Sequence, residues 1–285
     1  MKKGKIFAIG LICIMAVAML TACNNNGNNG SNNGVVSPDI DTSNLNATEI
    51  VAKSAEVMEN VSSFASTMKS EMVLGFLGET LSMSISADMV VNADPMRMSV
   101  TTLMEDPMTG ETMDIMVYVI HEDDNLVTYM NVPEMGWVKQ TQPFSQELLD
   151  QMIQMQSPHE IMSSARVVGE ETVNGMRSWN VEVTMTGEAM FEFIKAMQED
   201  FLGVLDEVAF AQMGDMTLNM WIAQDTFYQA RLVIDMTQMM DDMMGDMGID
   251  VKRMVMSLDF FSFGAAPIVT LPEEAADAVE TALNL

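Results

Sequence analysis

Hydrophobic and polar positions change period along this chain, and the changes divide it into elements. Residues 46–65 repeat apolar side chains at helical spacing, with Ile50, Val51, Met58, Val61, Phe64 and Ala65 on one stripe. Asn46 or Thr48 can cap this helix, and Glu49 falls in its first turn. From about residue 67 the period becomes two. Leu81, Met83, Ile85, Ala87, Met89 and Val91 alternate with Ser82, Ser84, Ser86 and Asp88, which predicts a strand with one apolar and one wet face. After the turn Asn92-Ala93-Asp94-Pro95, Met96, Met98, Val100, Thr102 and Met104 alternate again. Further strands are predicted over 113–120, 126–132 and around Trp137, with breaks at 106–110, 121–125 and 133–136. These connections are too short for crossover helices, so the strands form an antiparallel meander.

A helical stretch over 144–164, divided by Pro158, precedes a second run of strands that starts at Ala165. Asn174-Gly175 is a strong hairpin signal. Beyond it Trp179, Val181, Val183 and Met185 alternate with Asn180, Glu182 and Thr184. Residues 187–212 read as helix, 216–222, 227–237 and 249–263 as strands, and 272–283 as a closing helix opened by Pro272. The expected class is α+β, with helices segregated to one side of a long antiparallel sheet.

The first residues follow neither pattern. Lys2, Lys3 and Lys5 precede an apolar run over 6–20, and Ala22 is a small residue before Cys23. This is the layout of a secretory signal, and Leu20-Thr21-Ala22-Cys23 resembles the lipobox of bacterial lipoproteins, which implies lipid attachment at Cys23. The apolar run is shorter than the roughly 20 residues of a comfortable bilayer span, so acyl anchoring fits better than spanning. Residues 24–34 hold only Asn, Gly and Ser, the composition of a flexible tether. The expected organisation is a signal peptide over 1–22, a lipidated cysteine and tether over 23–43, and a folded domain over 44–285.

Charge and composition narrow the function classes. The chain carries 13 Lys and Arg against 41 Asp and Glu, for a net charge of −28. Nucleic acid is an unfavourable partner, because that affinity comes largely from cations that neutralise phosphates. Adhesion to anionic lipid through surface charge is disfavoured for the same reason. The two cysteines are Cys13 and Cys23, so the expected mature domain has no thiol for a disulfide, a zinc site or a nucleophile. The sequence holds no Gly-x-Ser-x-Gly elbow, no phosphate-cradling glycine loop and no His-Glu-x-x-His motif. Its histidines, His121 and His159, read as surface residues. No catalytic residue, no resident metal and no cofactor is expected, and the chain reads as a non-enzyme.

Methionine is the outlier, at 34 residues. Met236, Met239, Met240, Met243, Met244, Met247, Met254 and Met256 lie close together, with Asp241, Asp242, Asp246 and Asp250 among them. Thioethers favour Cu(I), so a copper-binding envelope protein is one alternative. A module that contacts another protein through exposed methionines is a second. Methionine also packs adaptably in irregular apolar spaces, and its enrichment extends throughout the chain.

Several scattered stretches carry a resemblance. They are Val117-Tyr118-Val119 with Tyr129 and Gly136-Trp137-Val138-Lys139; Asn174-Gly175 leading to Trp179-Asn180-Val181; Met220-Trp221-Ile222-Ala223; and Ile268-Val269-Thr270-Leu271-Pro272. Together, over residues 44–283, they resemble the LolA-like and LppX-like superfamily of lipoprotein carriers, with Gram-positive lipoproteins of that type as the closer match. Ala223 stands where that family usually shows an Asp, with Asp225 two positions on. The resemblance implies a strongly curved, unclosed antiparallel barrel whose concave face is covered by helices, with an apolar cavity for acyl chains or another hydrophobic ligand. Met83, Ile85, Met89, Met98, Val100, Met104, Val181, Val183, Met216, Leu218 and Met220 are the candidate lining residues. Alternation fixes which residues of a strand share a face, and leaves open whether that face lines a space or a solid core. The expected partners are a hydrophobic small molecule or lipid, and the membrane through the acyl anchor. The expected location is the extracytoplasmic face of the cell membrane.

Overall fold

The computed structural model describes residues 45–76, 78–105, 111–133, 135–144, 164–186, 216–245 and 248–281. Helix α1, Ala47–Met58, opens them. Its cap is reciprocal: Glu49 N–H donates to Asn46 Oδ1 at 3.0 Å and Asn46 N–H donates to Glu49 Oε2 at 2.8 Å. Such a box satisfies two otherwise orphaned donors and is worth about 1 kcal/mol. The helix is shorter than the apolar stripe predicts. It ends at Met58, and Phe64 and Ala65 lie in the first strand. The stripe continues across the junction because Met58, Val61 and Phe64 enter one apolar cluster from either side of the polar break at Glu59-Asn60.

Twelve strands form one sheet among the described residues. They are β1 (Ser63–Phe76), β2 (Glu79–Asn92), β3 (Arg97–Glu105), β4 (Thr112–Glu122), β5 (Asn125–Val132), β6 (Gly136–Pro143), β7 (Ser164–Val173), β8 (Met176–Met185), β9 (Met216–Ala223), β10 (Gln229–Asp235), β11 (Ile249–Phe261) and β12 (Val279–Glu280). Their order across the sheet is β12-β6-β5-β4-β3-β2-β1-β11-β10-β9-β8-β7. The meander β1–β6 and the run β7–β11 thus join edge to edge through β1 and β11, which pair from Ala65↔Phe261 to Phe76↔Ile249. The sheet ends in two free edges, β7 and β12, and does not close. All neighbours are antiparallel except β12 on β6, where Val279 pairs with Val138 in parallel.

Curvature is sharp at the β7–β8 end. Asn174 and Gly175 both take positive φ, at +51° and +81°, as a two-residue primed hairpin turn requires. In a flat sheet this turn would lie three to four strand spacings from β11, about 14–19 Å. Instead Asn174 Nδ2 donates to Ala230 O on β10 at 3.1 Å and to Phe260 O on β11 at 3.3 Å. Ala230 sits at an irregularity of the β9–β10 pairing, where extra twist is expected.

Three further sequence expectations are corrected here. Residues 227–237 do not form one strand. β10 stops at Asp235, and a short helix α2, Thr237–Met244, follows. The closing helix over 272–283 is instead a 3-10 turn, Glu273–Asp277, followed by β12. Ala275 and Ala278 dock under Val127 and Tyr129, and Val279 then finds backbone partners on the β6 edge that a continued helix would leave unpaired. His121 belongs to β4 rather than to a turn, half-buried, with its ring 4.2 Å from that of Phe144. The predicted helices over 144–164 and 187–212, His159 and the leader and tether through Cys23 lie outside the described residues, apart from Phe144 and Ser164.

After β11 the chain runs as an extended strap across the ends of β1, β2 and β3. Gly264 N–H donates to Ser63 O at 2.7 Å, Val269 N–H to Asn92 Oδ1 at 2.8 Å, and Arg97 Nη1 to Val269 O at 3.2 Å. The Ile268-Val269-Thr270-Leu271-Pro272 stretch is therefore a strap. It delivers Leu271 and the 3-10 turn to a small cluster with Tyr118, Val127, Tyr129 and Trp137.

Candidate functional site

Cross-strand register shows how much of one face is apolar. One row of partners runs Ala165, Val183, Leu218, Ile234, Met256, Ser70, Ile85, Met104, Met113, from β7 to β4. A second runs Val167, Val181, Met220, Leu232, Leu258, Met68, Ala87, Thr102, Ile115. A third runs Phe260, Ser66, Met89, Val100, Val117, Met130, Val138, from β11 to β6. No residue in the three rows is charged.

The eleven lining candidates all fall on this face. Met89, Val100, Val181, Val183, Ile85, Met104, Leu218 and Met220 stand in the rows just named. Met98 pairs with Val91 and Val119, Met83 with Met72, and Met216 with Met185. Nine are buried, Val181 and Val183 completely, while Met83 and Met104 are half-buried. The nine belong to one continuous apolar cluster that also takes in Ile50, Val51 and Met58 of α1. α1 packs against β7 and β9.

The face is not uniform in depth. Near its centre, where β1, β2 and β3 run side by side, it carries Ser66, Ser70, Ala87 and Thr102, all small side chains. Ser66, Ala87 and Thr102 are nonetheless buried. Toward the β1–β2 turn the residues become half-buried methionines: Met72 opposite Met83 and Met254, and Met104 opposite Met113.

Helix α2 closes the same end. The β10–β11 pairing stops at Asp235↔Val255, so the remainder of β11 has lost its strand neighbour on that side. Thr237 Oγ1 accepts the Met254 N–H at 2.9 Å, and Asp241 Oδ1 accepts the Val251 N–H at 2.9 Å. Met236 is buried, and Met239 and Met240 pack against the apolar cluster. The methionine-rich segment that the sequence marks for copper therefore spends Met236, Met239, Met240, Met254 and Met256 as packing groups. Of the rest, Met247 lies outside the described residues. Among the described residues, His, Cys, Asp and Glu form no group of three or more that could hold a metal ion.

The opposite face carries ion pairs on β7–β11 and, on β4–β6, the small cluster with Tyr118, Val127, Tyr129 and Trp137. Arg231 pairs with Asp259 at 2.7 Å and lies over the Trp221 ring, whose Nε1 donates to Glu171. Arg166 pairs with Glu182 there at 2.6 Å. At the hairpin end of β7–β8, where Glu170 stands opposite Trp179 on the apolar side, Arg177 pairs with Glu170 at 2.8 Å. The hydrogen bond from Arg177 holds the Glu170 carboxyl below its ordinary range. Burial, and then the charge and hydrogen bond of Glu122, push the Tyr129 hydroxyl up.

Two polar groups escaped sequence reasoning. Ser54 and Ser66 are each 1% exposed, and neither hydroxyl finds a hydrogen-bond partner. Serines alternate with apolar residues on the wet face of β2, so serine in general reads as outward. The signal for Ser66 was its place between Phe64 and Met68 at period two. No helix among the described residues is long and apolar enough to cross a membrane.

The fold can be set beside known ones. It is similar to the Mycobacterium tuberculosis lipoprotein LppX, at 15% identity and a TM-score of 0.47, over 78% of this chain and 96% of that one. It is similar to LprF from Mycobacterium bovis at 11% identity and a TM-score of 0.43, over 80% and 96% of the two chains. A LolA superfamily protein from Nitrosomonas europaea matches at 9% identity and a TM-score of 0.23, over 81% and 96%. These likenesses are long but loose. No curated protein matches the sequence. The model of DUF6612, a family of unknown function, matches residues 46–280, and the chain belongs to that family.

Proposed function

We propose that this protein is an extracytoplasmic lipoprotein, anchored to the cell membrane through Cys23, that holds a hydrophobic ligand of the lipid or acyl-chain class against the apolar face of its sheet. The observation that carries this reading is the three uncharged rows that together run from β7 to β6, with small residues at the centre of the face. An apolar sheet face must be covered. Ser66, Ser70, Ala87 and Thr102 leave more room beneath a cover than leucine or phenylalanine at those positions. Methionines at one end of the face suit a guest of variable shape, because the thioether chain repacks at little cost. Small-molecule sites are usually concave and mostly apolar, with a few polar groups. The lipobox-like Leu20-Thr21-Ala22-Cys23 supports the anchor, and the Asn/Gly tether behind it would hold the domain clear of the bilayer. No covalent chemistry is assigned to the chain.

The test is displacement. The purified protein should brighten an environment-sensitive apolar dye, and a long-chain acyl lipid should displace that dye stoichiometrically. Dye binding that no acyl lipid displaces, or no dye binding at all, overturns the reading.

A further inference from the structure

The ligand's chemistry can be narrowed from the unpartnered hydroxyls, an inference that rests on the ligand-binding reading above. Ser66 lies on the apolar face between Phe64 and Met68 of β1, with Met89 on one neighbouring strand and Phe260 on the other. Ser54 lies on the buried side of α1 with Ile50, Val51 and Met58. Both are 1% exposed, and neither hydroxyl has a partner. A buried hydroxyl without a hydrogen bond is costly, and an alanine of similar size would avoid that cost. Each hydroxyl has one hydrogen to donate and accepts as well. The three rows of the face carry no charged residue, so a carboxylate or phosphate seated among them would lack a counter-ion. The complement that satisfies a donor without adding charge is a neutral carbonyl.

We propose that Ser66 and Ser54 are ligand-reading groups: each donates its hydroxyl to a neutral carbonyl of a bound acyl ester, while the hydrocarbon lies along the apolar rows. Any charged head of such a lipid stays outside the face. The methionines supply bulk contact and the serines supply selection.

The experiment compares two probes of equal chain length, a long-chain fatty-acid methyl ester and the matching n-alkane, on the full mature chain and on Ser66→Ala and Ser54→Ala. The wild type should prefer the ester by about two- to tenfold, the range one net hydrogen bond provides. That preference should shrink in either variant while alkane affinity stays the same. The thermal midpoint without ligand should be unchanged or higher in both, because a costly orphan group has been removed. With an isotope-labelled ester, the carbonyl stretch should sit at the hydrogen-bonded frequency in the wild type and return toward the unbonded one in Ser66→Ala. Equal affinity of the wild type for ester and alkane, or equal losses for both probes in the variants, overturns this proposal and leaves the ligand-binding reading standing. Failure of both probes to bind the wild type overturns both.

Discussion

The Asp241 carboxylate of α2 accepts the Val251 N–H at 2.9 Å, where β11 carries one residue more than β1 opposite it. Val73 pairs with Arg253 and Leu74 with Val251, so Lys252 is the extra residue. A bulge leaves backbone groups without their ladder partner, and the helix supplies one. Asp241→Ala should destabilise the protein by about 1–3 kcal/mol in chemical denaturation, with faster hydrogen exchange at the Val251 amide. Asp241→Asn keeps an accepting oxygen and should restore most of the protection. Unchanged exchange at Val251 in the alanine variant contradicts the assignment.

Core and rim of the apolar face should respond differently to truncation. Leu258 is 1% exposed at the centre of the second row, and Leu258→Ala should cost about 2–5 kcal/mol of stability. Met83 is half-buried at the methionine end, and Met83→Ala should cost roughly 1 kcal/mol or less. The Met83 variant should still weaken binding of a bulky acyl lipid. Equal stability losses at the two sites, by thermal or urea unfolding, would place Met83 in the solid core instead.

Tyr129 sets an alkaline limit. Its hydroxyl is raised first by burial, then by Glu122, whose Oε1 accepts its hydrogen bond at 3.4 Å, and by Glu280. A raised value means the folded state holds the proton longer than the unfolded chain. The contribution is therefore complete below the ordinary phenol value of about 10, and it is lost as the pH climbs through the higher folded value. Phenolate absorbance, referenced to Tyr129→Phe, should show Tyr129 titrating late, and Glu122→Gln should move it down without returning it fully to the ordinary value. Titration of Tyr129 at or below the ordinary value contradicts this.

Cys23 carries the membrane claim. Cys23→Ser should abolish acyl labelling and shift the protein from the membrane fraction to the soluble one in fractionated cells. Retention in the membrane without acylation would mean another means of attachment.

Much of the sheet was legible because hydrogen-bonded strands send side chains to alternate sides. Met83 to Val91 and Trp179 to Met185 announce one buried face each, and the register places both on the same surface. Asn174-Gly175 was legible because few residue pairs accept two successive positive φ angles. Alternation could not show that β1 and β11 join the two halves, since pairing between distant strands leaves no local periodicity. Helix α2 was hidden because Met239, Met240, Met243 and Met244 fit either period, and its place is fixed by tertiary bonds to β11. β12 was hidden for a related reason. Alanines over 275–278 favour helix locally, and the open β6 edge outweighs that preference. Ser66 was not singled out because its residue type argues for water while its strand position argues for the core.

The central claim is that the apolar rows of the sheet hold an oily guest. Native mass spectrometry of the protein released gently from its own membrane tests it most directly. The account predicts a population heavier than the acylated chain by the mass of a discrete lipid, lost on organic extraction and regained on adding that lipid back. A single species at the mass of the acylated chain alone, with no lipid in the extract and none taken up afterwards, would contradict it.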